Sequence, residues 1–277
     1  MSEEQSSNRT PRRLSYSSLK EFQKSPRHLL EYWEGEKKET DEMIFGSFFH
    51  TMVLQPEKLE KEYKLWDEER RPDLNTGMTS KVNKEWKFKM LNWAKLEGIN
   101  WITPENWQRA EDMKKSLMNY DKSAELLTAA ENEFEKEITW KCRGEECVAV
   151  LDIRNPYFVA DIKTARSAYP PEFRYAISKF RYWIQGGMYV DGENESLDLP
   201  MDDWKDFYII AIEKEPPYLV SVHLLSKEAI ARGITEYRML IDSYKIAKDN
   251  LERGYDFWSP FGEDGIFIYD LPKWLEI

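Results

Sequence analysis

Cysteine is nearly missing from this chain: Cys142 and Cys147 are the two among 277 residues. Two thiolates cannot complete a four-cysteine zinc or iron–sulfur site. In Cys142-Arg-Gly-Glu-Glu-Cys147 they read as reduced residues flanking a hairpin turn. Cationic excess is missing too. A formal net charge of −11 excludes a protein that coats nucleic acid with its whole surface. No apolar run reaches the ~18 uncharged residues of a membrane span, so no membrane partner is expected. Met1 to Arg13 is polar and lacks the apolar centre of a secretory signal, which makes a cytoplasmic location the expectation.

A core is amply provided for. Hydrophobic residues make up 41% of the chain, with 11 Trp, 15 Tyr and 13 Phe, so global disorder is excluded. Charge is zoned along the sequence. Asp161 to Arg181 carries five basic residues against two acids, and Asp191 to Asp206 carries seven acids and one lysine. Screening confines exposed charges to about 10 Å at 0.1 M salt, so a basic zone persists locally on an acidic protein.

Residues 1–13 read as a flexible arm ending in Arg12 and Arg13. Ser15 to Ser25 reads as a short helix closed by Pro26, and Glu42 to Leu54 as a second. A charged, turn-rich loop over 68–80 precedes helical patterning at 81–97 and from Pro104 to about Ala130. The period then changes to two, giving strands at Phe134–Trp140, Cys147–Ile153 and Tyr157–Lys163. A helix over Glu172–Val190, strands at Phe207–Glu213 and Tyr218–Leu225, and a helix over Ser226–Leu251 complete the order. This is an α/β plan, a mixed sheet with helices, in one domain over 14–277. Within it, 14–133 is mainly helical, 134–225 holds the sheet, and 226–277 is a helix and tail.

The chemistry centres on Val150-Leu-Asp152-Ile and Val159-Ala-Asp161-Ile-Lys163-Thr. Alternation along a strand puts Asp161 and Lys163 on one face, with Ile162 turned away. Asn155-Pro156 is a turn dipeptide, so a hairpin could bring Asp152 and Asp161 together. Converging carboxylates beside a lysine equip a site for a hard divalent cation and metal-assisted phosphodiester hydrolysis. The other reading of Asp-x-Lys is a solvated surface ion pair.

Three further features bear on the choice. His50 lies on a strongly apolar helix, where it is either a hydrogen-bonded core residue or a ligand. Gln185 and Tyr189 are four apart and share a helix face. Between them Gly186-Gly187 costs about 1 kcal/mol per glycine relative to alanine, a cost that points to close approach of another backbone, such as the sheet. Glu135 and Glu137 share a strand face, and either could support the lysine or a metal-bound water.

Together these segments resemble the PD-(D/E)XK nuclease superfamily and, within it, the RecE-type exonucleases (exodeoxyribonuclease VIII) of prophages. Leu14-Ser-Tyr-Ser-Ser-Leu19 resembles the opening serine-rich helix of that family. Gly46-Ser-Phe-Phe-His50 with Leu54-Gln-Pro-Glu57 resembles its Gly-x-x-Phe-His … Leu-x-Pro-Glu segment. Asp161-Ile-Lys-Thr164 resembles its Asp-Val-Lys-Thr, Tyr182-Trp-Ile-Gln185 … Tyr189-Val-Asp-Gly192 its Tyr-x-x-Gln … Tyr-x-Asp-Gly, and Leu271-Pro-Lys-Trp274 its closing Leu-Pro-x-Trp. Leu151 stands where the superfamily's name has proline.

The resemblance implies a restriction-endonuclease-like core with an N-terminal helical elaboration. It implies metal ligation by His50, Asp152, Asp161 and the carbonyl of Ile162, for Mg²⁺ with Mn²⁺ as a substitute. Lys163 becomes the catalytic lysine, Gln185 and Tyr189 its supporting or DNA-contacting neighbours, and Glu135 fits the strand acid better than Glu137. DNA phosphates would meet Arg166, Arg174, Lys179 and Arg181, with Arg12 and Arg13. The implied activity is digestion of double-stranded DNA ends from the 5′ strand, by a ring-shaped homo-oligomer working with a single-strand-annealing recombinase. Another endonuclease of the superfamily and a non-catalytic DNA-end-binding protein are the rival readings.

Overall fold

The computed structural model describes residues 12–35, 40–70, 72–197 and 204–252. Residues 1–11 of the expected arm, the tail from 253 and the Leu271–Trp274 segment lie outside them. No helix among the described residues is long and apolar enough to cross a membrane.

The helical part is punctuated by side-chain caps. Ser15 accepts the Ser18 N–H at the start of α1 (Tyr16–Lys24), and Ser18 returns the bond as a capping box. Ser25 then caps α2 (Pro26–Glu34). The first helix ends before Pro26, as expected, and Pro26 also opens the next, because proline at the first helical position forfeits only an N–H that has no helical partner. Thr40 caps α3 (Asp41–Leu54), followed by α4 (Leu59–Glu62). Strands β1 (Tyr63–Leu65) and β2 (Asn100–Ile102) pair in parallel around α5 (Lys81–Glu97), a small sheet too short for a period-two pattern to reveal. The single helix expected from Pro104 onward is two, α6 (Pro104–Asn119) and α7 (Asp121–Thr128), broken at the extended Tyr120.

The five-stranded sheet follows: β3 (Glu133–Cys142), β4 (Glu145–Arg154), β5 (Phe158–Ala165), β6 (Asp206–Glu213) and β7 (Val220–Leu225), in that spatial order. Pairing is antiparallel except between β5 and β6. That parallel step needs a crossover, supplied by α8 (Pro170–Phe180) and α9 (Tyr182–Leu197). The sequence reads as one helix there; Arg181 at φ +52 breaks it. The last helix is α10 (Lys227–Glu252).

Helices cover both faces of the sheet. On one side Leu19 of α1, Ile184 and Met188 of α9 and Ile230, Ile234 and Tyr237 of α10 pack on Ile138, Leu151 and Phe207. On the other, Phe48 and Phe49 of α3, Met113 and Leu117 of α6 and Leu126 of α7 pack on Ile153, Ala160 and Ile162. The fold is therefore the mixed-sheet α/β plan expected. The close backbone approach expected at Gly186-Gly187 comes from a different direction. A Cβ at Gly187 would lie 2.4 Å from Ile234 N, so its neighbour is α10 rather than the sheet; Gly186 instead faces the Phe207 ring of β6.

Candidate metal centre

The site forms where the sheet departs from regularity. β4 and β5 share only the pairs Ile153↔Ala160 and Arg154↔Val159. Beyond them a side chain replaces the ladder: Asp152 Oδ2 accepts the Ile162 N–H at 2.7 Å. The strands part there, and the edge of β4 that faces away from β3 takes the N-terminal segment instead. Leu14 donates to Glu146 O at 2.8 Å and accepts from Val148 N at 2.9 Å.

Residues two apart on a regular strand share a face. Leu151 and Ile153 nevertheless pack in opposite core layers, so the facing reverses at Asp152. The same reversal separates Phe134 from Ile138 on β3, and Glu135 between them has φ +49. Flanked by the pairs Phe134↔Ile153 and Lys136↔Leu151, Glu135 and Asp152 stand opposite each other. A left-handed conformation at a glutamate costs of order 1–3 kcal/mol and persists where the surroundings impose it, often at functional sites.

Helix α3 brings His50 to this point. His50 Nδ1 lies 3.6 Å from Asp152 Oδ2 and 3.8 Å from Glu135 Oε1. One donor atom from each of His50, Glu135 and Asp152 falls within 4.8 Å of the others. One turn earlier Gly46 faces open space: an added Cβ would meet nothing within 4 Å. Gly46, His50, Tyr63, Glu135 and Asp152 line a cleft of about 500 Å³.

Asp161 stands beside this trio rather than within it. Its Oδ2 meets Lys163 Nζ at 2.6 Å, as the shared strand face requires, and its Oδ1 accepts from Gln185 Nε2 at 2.8 Å. The Gln185 amide also reaches Tyr189 Oη at 3.1 Å. Oδ2 of Asp161 is buried and, apart from the lysine, without a hydrogen-bond partner among the described residues. In an extended strand a residue's N–H and C=O leave from the same edge, so the Ile162 carbonyl emerges toward Asp152, as its N–H does.

The electrostatics are those of crowded acids. Burial, then the neighbouring Asp161 carboxylate, push Asp152 up to about 7 against the opposing pull of His50 and Lys163. Burial works against a charge on His50, but Asp152, Glu135 and Asp161 outweigh it and raise the imidazole above its usual value. Burial likewise opposes the Lys163 ammonium, and Asp161 and Asp152 overcome it, so the lysine stays charged. The Tyr189 phenol is raised by burial and by Asp161 and stays protonated.

Two carboxylates and an imidazole suit a divalent ion that accepts oxygen and nitrogen donors. A cation there would relieve the repulsion that raises Asp152. The residues present therefore fit a metal.

The expected DNA-contacting residues divide. Arg166, Arg174, Lys179 and Arg181 are exposed. Arg12 and Arg13, assigned to a flexible arm, are instead tied down. Arg12 bonds Glu34 at 3.2 Å and stacks 5.2 Å from the Trp33 ring, and Arg13 pairs with Glu137 at 2.6 Å. That pairing takes Glu137 away from the site and leaves Glu135 as its strand acid. Sequence reasoning passed over Tyr16 and the ring of Tyr182 as site neighbours. Tyr182 lies 5.2 Å from Lys163 Nζ, and no spacing rule links either tyrosine to the lysine.

Residues 15–254 match the family described as "PDDEXK-like domain of unknown function (DUF3799)", and the chain belongs to that family. Among solved structures it is similar to a protein of Eubacterium rectale named "Putative exonuclease". The identity is 12% and the TM-score 0.58, over 94% of this chain and 90% of that one. At that identity the likeness speaks for the fold. A second structure, SSO0001, is 15% identical over 70% of this chain and 86% of its own, with a TM-score of 0.26 that carries no argument. No curated protein matches the chain in sequence.

Proposed function

We propose that this protein is a Mg²⁺-dependent exodeoxyribonuclease of the RecE type. It degrades linear double-stranded DNA from 5′ ends and leaves 3′ single-stranded tails for recombination. The observation that supports this reading most is the approach of His50, Glu135 and Asp152 beside the Asp161–Lys163 pair. Residues 14–277 act as one nuclease domain in the cytoplasm. The working form is a homo-oligomeric ring around DNA, with a single-strand-annealing recombinase as partner.

His50, Glu135 and Asp152, with Asp161 and the Ile162 carbonyl adjoining, would hold a divalent ion, which would supply Lewis-acid charge at a phosphate oxygen and lower the pKa of a water. Lys163, kept charged by Asp161 and Asp152, stabilises negative charge developing on the phosphate in the transition state. Gln185 orients Asp161 by its 2.8 Å bond, and Tyr189 holds Gln185 in turn. Exposed Arg166, Arg174, Lys179 and Arg181 meet flanking phosphates.

The test is digestion of linear and nicked circular duplex with Mg²⁺ or EDTA. Progressive, Mg²⁺-dependent loss of linear DNA alone is expected, and end-labelled DNA reads the polarity. Discrete cuts in circles would replace this reading with an endonuclease, and binding without hydrolysis with a DNA-end-binding protein. Lys163→Ala and Asp161→Ala should each lower hydrolysis by about 10²-fold or more while leaving DNA binding in place; wild-type rates in either would sink the site.

A further inference from the structure

A row of rings and ammonium groups leads from the centre to the protein surface. Lys163 Nζ lies 5.2 Å from the Tyr182 ring. Tyr182 stacks on Phe180, with ring centroids 5.7 Å apart and planes inclined by 28°. Two cations flank the Phe180 ring: Lys20 of α1 at 5.5 Å and Lys179 of α8 at 5.4 Å. Phe180, at the end of a helix, remains 38% exposed. The support is rigid. Tyr16 Oη donates to the Phe180 carbonyl at 2.7 Å, and Arg181 turns the chain at φ +52 so that residues 180 and 182 present their rings side by side.

Arg12, Arg13, Arg109 and Arg154 all pair with carboxylates. Lys20, Lys179 and, five residues before it on α8, Arg174 have no carboxylate within ion-pair distance among the described residues. On a chain of net charge −11, cations left unpaired around an exposed ring point to an anionic, ring-bearing partner. A duplex would offer phosphates but keep its bases stacked on one another. An unpaired strand offers both, phosphate and base in alternation.

We infer that Phe180, with Lys20 and Lys179, is a docking surface for unpaired nucleotides of single-stranded DNA next to the cleaved phosphate. The base stacks on Phe180 and its flanking phosphates meet the two lysines. Placed two rings from Lys163, the surface receives a strand already separated from its complement. This rests on the nuclease reading above and adds to it the state of the DNA that enters the site.

The test is anisotropy of a labelled oligodeoxythymidylate in EDTA, where no hydrolysis occurs. Phe180→Leu keeps apolar bulk and removes the ring; binding should weaken roughly 5- to 150-fold, the loss of one base stack. Phe180→Tyr should bind like the wild type. Lys20→Ala with Lys179→Ala should lower the salt slope by about 1.4, as expected for two lost phosphate contacts on a single strand. The inference is overturned if Phe180→Leu binds as wild type does, if wild type does not bind the oligonucleotide, or if a covalently closed duplex loses affinity equally in that variant. Melting temperatures separate a binding loss from misfolding, and the lysine variants, exposed at both sites, carry the test if Phe180→Leu does not fold. Hydrolysis of linear duplex in Mg²⁺ is read separately. Its failure in the wild type sinks the nuclease reading, whereas normal hydrolysis with unchanged oligonucleotide binding in Phe180→Leu sinks only this surface.

Discussion

Replacing Asp152 with asparagine should stabilise the metal-free protein while abolishing its response to metal. Burial and Asp161 raise the Asp152 carboxyl from an ordinary 3.8 to about 7. An acid shifted upward favours its protonated form in the folded state. Its contribution is therefore complete below about pH 4 and is lost as pH rises through about 7. A shift of about three units corresponds to at most about 4 kcal/mol at pH 8, and coupling to Asp161 makes this an upper bound. Asparagine keeps an oxygen to accept the Ile162 N–H, now bonded at 2.7 Å, and removes the charge. In a thermal melt with EDTA at pH 8, Asp152→Asn should unfold up to about 10 °C above the wild type, and the gap should shrink toward pH 5. It shrinks for a second reason, because His50 loses the carboxylate that most raises its pKa. Mg²⁺ should raise the wild-type midpoint and leave the variant unchanged. An equal or lower midpoint for the variant in EDTA at pH 8 would refute the account of crowded acids. An equal response to Mg²⁺ would refute Asp152 as a ligand.

Three other outcomes follow from particular residues. Glu135→Gly should release left-handed strain at φ +49 and cost little stability, yet weaken metal affinity measured by calorimetry; unchanged affinity would remove Glu135 from the centre. Gly187→Ala would place a Cβ 2.4 Å from Ile234 N, and should destabilise the protein by about 1–3 kcal/mol or more in urea unfolding, lowering activity through the displaced Gln185 and Tyr189 of α9. With an imidazole among its ligands the site should bind Mn²⁺ more tightly than Mg²⁺, so half-maximal hydrolysis should need less Mn²⁺; the reverse order would argue for an all-oxygen ligand set.

Much of this molecule is written in local chemistry. Ser15, Thr40, Ser80 and Thr103 each accept a backbone N–H at a helix start, and such caps are readable residue by residue. The pairing of Asp161 with Lys163 follows from a period of two, and their Nζ–Oδ2 distance is 2.6 Å. The single-helix reading of 172–190 failed for an equally local reason: Arg181 in a left-handed conformation leaves no mark in a periodic pattern.

What the sequence determined by itself is the set of groups: the acids and lysine of β4 and β5, the capped helices, and the mixed α/β order. Their convergence belongs to the tertiary structure. His50 and Asp152 are about a hundred residues apart, and only packing of α3 on Ile153 and Ile162 brings the imidazole to 3.6 Å. Strand alternation alone left Glu135 and Glu137 equivalent, with only the family resemblance favouring Glu135; in the structure β3 reverses at Glu135 and Arg13 pairs with Glu137. Short-range rules fix which face a side chain takes relative to its neighbours. Meetings between distant segments depend on how the two core layers close over the sheet, and no local rule contains that.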